Sequence, residues 1–304
     1  MLTRREFGQL TLGAVALPAL GRLADATAGG VRLGVQSYSF RDLPRPEGGD
    51  QIDIVIDAMK QCGLRECELW APQVEPRFGP QGRGRGTPES RQQARDDLRG
   101  WRTTTPIDHF RDVKKKFDAA GMSIYAYNYS FSADMTDAEI DRGFEMTRAL
   151  GATIITASTT LSTSMRVVPF AEKHKMAVAM HGHSNRSDPN EFCTPDSFAA
   201  AMRLSKYFKV NLDIGHFTAA DFDAVAYIRE HHANITNLHL KDRKKHEGDN
   251  VAWGQGETPI REVLLMLKKE RWPIPAYIEY EYRGAGTPTE EVQKCVQLAK
   301  QMLA

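Results

Sequence analysis

Histidines and acids recur at the ends of short apolar runs in this sequence. The segment "MAVAMHGHSN" (176–185) carries His181 and His183 one residue apart, so both side chains point the same way if the run is a strand. Similar runs carry, at or just beyond their ends, Asp213 and His216, then His239, Lys241 and Arg243, then Glu279 and Glu281, and, earlier in the chain, Glu68. Singly, each has an ordinary alternative as a hydrogen-bonded loop histidine or a solvated acid. Together, an Asp, a Glu and two His at one end of a sheet predict a site for a divalent transition metal.

Eight β-type runs alternate with amphipathic helical patterns. This alternation predicts an α/β fold with a single (β/α)8 TIM barrel, in which the carboxyl ends of the strands form the active-site face. No Gly-x-Gly-x-x-Gly follows the first run, which argues against a dinucleotide fold. The predicted strands are 31–38, 65–70, 123–129, 152–158, 176–182, 209–215, 235–241 and 276–282.

Helices are expected between these strands, several of them beginning at a threonine. Thr136 with Glu139 predicts a capping box, and "TPDSFAAAMRLS", "TAADFDAVAYIREHH", "TPIREVLLMLKKE" and "TPTEEVQKCVQLAKQML" also start with Thr. Residues 71–105 are expected to form a long loop rich in Pro, Gly and Arg, of the kind that covers or contacts a substrate. The basic run 81–102 within it is interpreted as a solvated loop, with a polyanion site as the alternative.

The bulk composition excludes some partners. With 40 Lys and Arg against 39 Asp and Glu in 304 residues, there is no global electrostatic case for nucleic acid or an anionic membrane. The four cysteines show no metal-ligand spacing and are expected in the core: Cys62, Cys67, Cys193 and Cys295.

The first residues have the pattern of a signal peptide. Thr3-Arg4-Arg5-Glu6-Phe7 resembles the twin-arginine signal, a short apolar segment follows, and small-x-small cleavage candidates lie near Ala28. The sequence therefore predicts a signal peptide over 1–28, a barrel domain over 29–304 and export of the folded protein to the periplasm. An uncleaved N-terminal helix or anchor is the alternative.

Several motifs in the last third resemble those of the xylose isomerase-like sugar phosphate isomerase/epimerase family. They are "LDIGH" (212–216), "HLKDR" (239–243), "WGQGETPIREVLLML" (253–267) and "YIEYEY" (277–282), and the resemblance extends more loosely over about 31–302. It implies a metal-dependent barrel acting on sugars, keto-sugars or related polyols.

The resemblance also implies roles for single residues. Asp213, His239 and Glu279 match metal ligands, His216 matches a histidine beside the substrate or behind the ligands, and Glu68 matches an acid near the substrate. Lys241 and Arg243 look like contacts to substrate hydroxyls, and Gly254 and Gly256 match a loop that shapes the pocket. Family members commonly carry a glutamate at the end of the fifth strand, where this sequence has His181, which we expect to be the fourth ligand.

The expected function is a divalent-metal-dependent sugar or keto-sugar isomerase or epimerase that removes the proton α to a metal-bound carbonyl. Glu279, His216 and His183 are the candidate acid–base groups, and Mn²⁺ is the expected ion, with Zn²⁺, Co²⁺ and Mg²⁺ as alternatives. Two other functions stay open: a lyase or hydratase that cleaves 3-keto-glycosides by β-elimination, and a non-catalytic periplasmic sugar-binding protein.

The expected partner is a small sugar or keto-sugar, with a homo-oligomer left open. Aromatic residues near strand ends could stack on sugar faces or pack at the rim: Trp70, Tyr127, Trp253 and Tyr282. Trp253 is included among the candidate substrate-binding residues.

Overall fold

Eight parallel strands close into one barrel in the computed structural model, which describes residues 27–46, 49–79 and 86–304. Strand β8 pairs with both β7 and β1, and β1 pairs with β2, so the sheet has no open edge. The predicted (β/α)8 barrel is therefore confirmed. Its strands are β1 (Val31–Gln36), β2 (Glu66–Trp70), β3 (Ser123–Asn128), β4 (Ile154–Ser158), β5 (Ala177–His181), β6 (Phe208–Asp213), β7 (Ile235–Leu240) and β8 (Ala276–Ile278).

Helices surround the barrel and cover the apolar outer side of the strands. They are α1 (Ile52–Gln61), α2 (Pro88–Thr104), α3 (Asp108–Ala119), α4 (Asp137–Ala149), α5 (Leu161–His174), α6 (Pro195–Leu204), α7 (Ile214–Ala219), α8 (Ala224–His231), α9 (Ile260–Glu270) and α10 (Pro288–Leu303). Short 3₁₀ turns occupy Ser37–Phe40, Ala71–Gln73 and His232–Asn234. None of the described helices is both long and apolar enough to span a bilayer.

Strand β6 shows how the barrel separates its two sides. Val210 and Leu212 alternate with Asn211 and Asp213 along "FKVNLD", and all four are buried. The apolar pair belongs to the hydrophobic core. Asn211 instead hydrogen-bonds Glu68 of β2 on the opposite side of the barrel. The interior of this barrel is thus partly polar, which the site described below requires.

Threonine caps were predicted correctly for some helices and not for others. Thr136, Thr194 and Thr287 form capping boxes at the starts of α4, α6 and α10. Thr218, however, lies inside α7, and the predicted single helix is divided because the Asp223 side chain accepts from Ala226 N and begins α8. Thr258 does not cap α9, which starts at Ile260.

Two further helices differ from the sequence-based prediction. The expected loop 71–105 contains α2, a 17-residue helix that Thr87 caps and that has no buried residue, so its apolar pattern is weak. The interpretation of residues 86–102 as an irregular loop was wrong, although their exposure fits a solvated segment. For helix α5, which lies between β4 and β5 where a helix was expected, the prediction named no residues because Pro169 interrupts its apolar pattern.

The structure tests the prediction for the cysteines but not the prediction of a signal peptide. All four cysteines are buried free thiols, as expected. Residues 1–26 lie outside the described residues, so the signal peptide stays a prediction. Thr27 and Ala28 form a two-residue strand that pairs with the start of β1.

Candidate metal centre and substrate pocket

Four buried side chains converge at the carboxyl end of the barrel. His181 ends β5, Asp213 ends β6, His239 lies in β7 and Glu279 directly follows β8. One possible ligand atom from each lies within 4.8 Å of the others. The structure therefore brings together the four residues that the sequence suggested as metal ligands.

The buried polar atoms of this cluster lack ordinary partners. His181 Nδ1, Asp213 Oδ2 and His239 Nδ1 accept or donate no hydrogen bond among the described residues. Lys241 Nζ does lie 2.9 Å from Asp213 Oδ2, and Glu279 Oε2 lies 3.2 Å from His239 Nδ1, but neither contact has hydrogen-bond geometry. Because buried polar atoms are rarely left unpaired, these atoms fit the coordination of a cation by nitrogen and oxygen.

The two carboxylate oxygens of Asp213 have different roles. Oδ1 accepts from the backbone N–H of His216 at 2.7 Å and so caps α7. This bond fixes the carboxylate and leaves Oδ2 facing the cluster. Burial raises the pKa of Asp213 to about 7, and the neighbouring Glu279 adds to the rise.

Glu68 lies beneath the cluster and orients His239. It is fully buried, and its Oε2 is 2.8 Å from His239 Nε2. An ionised carboxylate only accepts hydrogen bonds, so Nε2 carries the proton and Nδ1 is left for a metal. The carboxylate accepts further bonds at 2.5–3.4 Å from polar side chains of five other strands: Gln36, Asn128, Thr156, Asn211 and Asn237.

This position changes the expectation for Glu68. The sequence suggested an acid that contacts substrate, whereas the structure surrounds both oxygens with protein donors below the pocket. Burial alone would lower the pKa of His239, but Glu68 and Glu279 outweigh burial and raise it well above its ordinary value. The same two carboxylates therefore favour the protonated form of His239, with which a metal ion would compete.

Lys241 joins the carboxylates on the other side of the cluster. Its Nζ lies 2.9 Å from Asp213 Oδ2 and 3.0 Å from Glu279 Oε2, and it also pairs with Glu281. Burial opposes the charge, but these carboxylates raise the pKa of Lys241. Lys241 and His239 in turn hold the pKa of Glu279 well below its usual value, in spite of burial. Lys241 thus acts on the acids of the cluster, although it also lines the pocket.

Arg243 and His216 form a fixed pair. Arg243 Nη1 donates to His216 Nδ1 at 2.6 Å and to Ser184 Oγ at 2.8 Å, while Nε and Nη2 donate to Gly248 O. A guanidinium cannot accept, so Nδ1 of His216 is the acceptor and the ring proton lies on Nε2. Burial, and then the cation of Lys241, lower the pKa of His216 well below its ordinary value. The ring is neutral and already bonded, so Arg243 supports it and has few donors left for a substrate.

His183 is the more accessible histidine. Its Nδ1 lies 3.2 Å from Glu191 Oε1, its side chain is 37% exposed, and its ring centroid is 5.1 Å from that of His181. Nε2 has no partner within the described part of the chain. Burial lowers the pKa of His181 well below its ordinary value, so that ring is neutral, the form in which imidazole binds metals.

A cavity of about 1250 Å³ opens above the cluster. Its wall includes residues that the sequence analysis did not identify, among them Tyr38, Arg41, Arg77, Ser130 and Ser158. Tyr38 and Arg41 follow β1, and the Arg41 guanidinium lies 4.4 Å from the Tyr38 ring centroid. Their position just after β1 could have identified Tyr38 and Arg41 as pocket residues, because every strand of a barrel contributes its carboxyl end to the same face.

The four aromatic residues near strand ends lie in different parts of the structure. Trp70 lines the cavity above the cluster, and Tyr127 is fully buried and therefore packs in the core. Trp253 and Tyr282 line a neighbouring cavity, so Trp253 is not part of the wall around the metal cluster. Gly254 and Gly256 donate their backbone N–H groups to Asp242 Oδ2 at 2.8 and 2.9 Å, which shows how the loop after β7 is held.

Comparison with solved structures gives low sequence identity and a shared fold. A D-psicose 3-epimerase with D-tagatose, from Clostridium cellulolyticum H10, is 12% identical with a TM-score of 0.61, over 89% of this chain and 99% of that one. The probable 3-DHS dehydratase AsbF from Bacillus anthracis is 13% identical with a TM-score of 0.62, over 88% and 97%. The IOLI protein, with a zinc atom, is 14% identical with a TM-score of 0.58, over 89% and 95%.

The sequence comparisons give one match and one absence. No curated protein matches this chain. The family model described as xylose isomerase-like TIM barrel matches residues 56–302, which include the four candidate metal ligands His181, Asp213, His239 and Glu279. The chain belongs to the xylose isomerase-like TIM barrel family.

Proposed function

We propose that this protein is a divalent-metal-dependent isomerase or epimerase of a sugar or keto-sugar. The observation that carries the proposal is the convergence of His181, Asp213, His239 and Glu279, with three of their ligand atoms buried and lacking hydrogen bonds. The family and the neighbouring structures, an epimerase and a zinc-containing protein among them, support it. Mn²⁺ is the ion we expect, and the two imidazoles also suit Zn²⁺ or Co²⁺.

A divalent ion at this site would supply Lewis-acid chemistry, polarising a carbonyl and stabilising the negative charge left by proton removal. The protein's own groups then move the proton. His183, whose Nδ1 faces Glu191, can accept a proton at Nε2. Lys241 and His239 hold the pKa of Glu279 well below its usual value, which suits a metal ligand but makes Glu279 a weaker proton acceptor than His183. Isomerisation or epimerisation results when the proton returns to a different position or face.

A lyase is the second candidate function. His181 stands where a carboxylate would support proton transfer on two faces, and one structural neighbour is described as a probable dehydratase. A 3-keto-glycoside would lose its α proton by the same first step and then expel the group on the β carbon. We also propose that residues 1–28 direct export to the periplasm, where a non-phosphorylated sugar is the more available substrate.

The test is proton exchange in deuterated water. The metal-loaded protein is incubated with free ketoses and with 3-keto-glycosides, and NMR records deuterium at the α carbon and any release of the aglycone. Deuterium incorporation with an isomeric product supports the proposal, and aglycone release supports the lyase. Metal binding without exchange on any of these sugars would refute both and leave a sugar-binding protein.

Variants connect the activity to the cluster. His239→Ala and Asp213→Ala should lose the bound metal and the exchange, since each removes a ligand. His232→Ala is the matched control, because His232 stacks on Trp272 outside the pocket, with ring centroids 4.3 Å apart. If either cluster variant keeps full metal occupancy, the assigned site is wrong.

A further inference from the structure

A second cavity adjoins the one above the metal cluster. It measures about 820 Å³ and shares two wall residues, Asn250 and Glu281, with the first cavity. Glu281 is the junction, since it pairs with Lys241 on the cluster side and its Oε2 lies 4.0 Å from His216 Nε2. The two cavities together exceed the roughly 300–1000 Å³ of an ordinary small-molecule site. A single sugar ring at the cluster would leave the second cavity unused.

Two loops form the walls of this second cavity, and a buried carboxylate fixes each of them. In the loop after β7, Asp242 accepts from the N–H groups of Gly254, Gly256 and Thr258 at 2.8–3.1 Å. A Cβ on Gly256 would lie 2.2 Å from Asp242 Oδ1, so the loop can approach this closely only with glycine there.

The loop after β8 is held in the same way. Glu291, 2% exposed, accepts from Tyr282 Oη at 2.7 Å, from Gly286 N at 2.8 Å and from Lys294 Nζ at 2.7 Å. A Cβ on Gly284 would lie 2.2 Å from the Glu291 carboxyl carbon. The cavity is therefore preformed by two fixed walls, which is typical of ligand sites.

The lining offers the groups that bind sugars. The half-buried Tyr282 and the 7% exposed Trp253 place aromatic rings in its wall, and the exposed residues Asp249, Gln255 and Arg283 complete the polar part of the lining. These three polar side chains make no hydrogen bond or ion pair with any residue that the structure describes. Aromatic rings next to free planar polar groups suit a ring with apolar faces and hydroxyl edges.

We propose that this second cavity binds the second sugar unit of a glycoside or disaccharide whose first ring lies at the metal cluster. The inference rests on the proposed function and narrows its substrate class from free sugars to glycosides. It places the linkage between the two units over Glu281 and Asn250. Trp253, which the sequence suggested as a sugar contact, then acts in this subsite.

Binding to the metal-loaded full chain tests the proposal. Isothermal titration calorimetry compares glucose, fructose and methyl glucoside with cellobiose, maltose, lactose, trehalose and sucrose. Arg283→Ala and Gln255→Ala remove exposed side chains of the second cavity, and Arg261→Ala, on the outer face of α9, is the matched control. We expect at least one disaccharide to bind about tenfold more tightly than the monosaccharides, and each cavity variant to weaken it about three- to tenfold.

The outcomes separate this inference from the proposed function. Monosaccharide affinity should stay within about twofold in both cavity variants, because their contacts lie outside the first cavity. If no disaccharide binds better than its component sugars, or if the variants weaken both classes equally, the subsite is refuted even when proton exchange is observed. Disaccharide binding that depends on Arg283 and Gln255 without proton exchange would support the subsite and refute the proposed function.

Discussion

The buried carboxylate of Glu68 should control metal affinity although it does not reach the metal. Glu68→Gln keeps the shape of the side chain and replaces one oxygen by an NH₂ group. In the native chain Oε2 accepts from His239 Nε2 at 2.8 Å and from Asn237 at 2.8 Å, while Oε1 accepts from Gln36, Asn128 and Thr156 at 2.5–3.1 Å. The amide must therefore present its NH₂ group to donors on one side or the other.

The size of the effect follows from these two orientations. If the NH₂ group faces His239, Nε2 becomes the acceptor and the ring proton moves to Nδ1, the atom that would ligate the metal. If it faces the other side, His239 keeps an acceptor, but a neutral one, and a charged hydrogen bond worth about 1.5–3 kcal/mol becomes a neutral one worth about 0.5–1.5 kcal/mol. Either orientation agrees with the 10–100-fold loss of metal affinity that is usual when a residue that orients a ligand is changed. In binding free energy this loss is about 1.4–2.7 kcal/mol.

The assay is metal affinity measured by competition with a chromophoric chelator, with Glu66→Gln as the matched control. Glu66 lies two residues earlier on β2 and accepts from Arg32 Nη2 at 2.6 Å and from Tyr277 Oη at 2.8 Å, away from the cluster. We expect the metal Kd to rise about 10–100-fold in Glu68→Gln and to change less than about twofold in Glu66→Gln. A Glu68→Gln protein that binds metal within threefold of the wild type, or an equal loss in Glu66→Gln, would refute the reasoning.

Three other variants or conditions test the site. His181→Glu should keep the metal, since a carboxylate also ligates, but change the rate of proton exchange or the product ratio; no change in either would show that His181 is not a ligand. His183→Asn should lower the exchange rate by about 10²–10⁴-fold with unchanged metal occupancy, and full exchange would assign the base elsewhere. Metal affinity should fall as the pH drops. Burial raises the pKa of Asp213 to about 7, Glu68 and Glu279 raise that of His239 well above its ordinary value in spite of burial, and neither group ligates when protonated. The same raised pKa means that Asp213 destabilises the metal-free fold as the pH rises from about 4 to 7. Titrations of metal affinity and of unfolding between pH 5 and 8 check both signs, and flat curves would contradict them.

The barrel and the convergence of the four cluster residues were predictable for one reason. Strand alternation fixes the side to which a residue points, and barrel closure brings all carboxyl ends together. The positions of His181, Asp213, His239 and Glu279 at the ends of consecutive strands predicted that these side chains would converge. The choice of Asp213, His239 and Glu279 as ligands among the other strand-end residues came from the resemblance to the family. The positions of Glu68 and Trp253 relative to the four ligands were not predictable. Both lie in or near strand ends, but the sequence does not show that Glu68 lies beneath the ligands and that Trp253 lines a neighbouring cavity.

Helix α2 shows a different limit. Its apolar stripe is limited to Ala94, Leu98 and Trp101, of which Trp101 packs against the core. Ionic contacts add to this packing: Arg102 binds Glu75 at 2.8 Å and Arg99 binds Glu139 at 2.9 Å. Hydrophobic periodicity is the main signal of a helix that packs on a core, so a helix with so narrow an apolar stripe among charged residues gives only a weak signal. The Thr87–Pro88 start, a typical N-cap and first residue, was the available indication.

The contacts of Lys241 bear on how a metal ion would enter the proposed site. Asp213, Glu279 and Glu281 would repel one another in an empty site, but the Lys241 ammonium pairs with all three, and protonated His239 lies between Glu68 and Glu279. Lys241, and His239 when it is protonated, thus offset part of the charge of the four carboxylates in the metal-free centre. We therefore expect the chain to fold without the ion, and an incoming ion to compete with the Lys241 ammonium for the carboxylates. Such a centre favours an exchangeable metal over one that is locked in during folding.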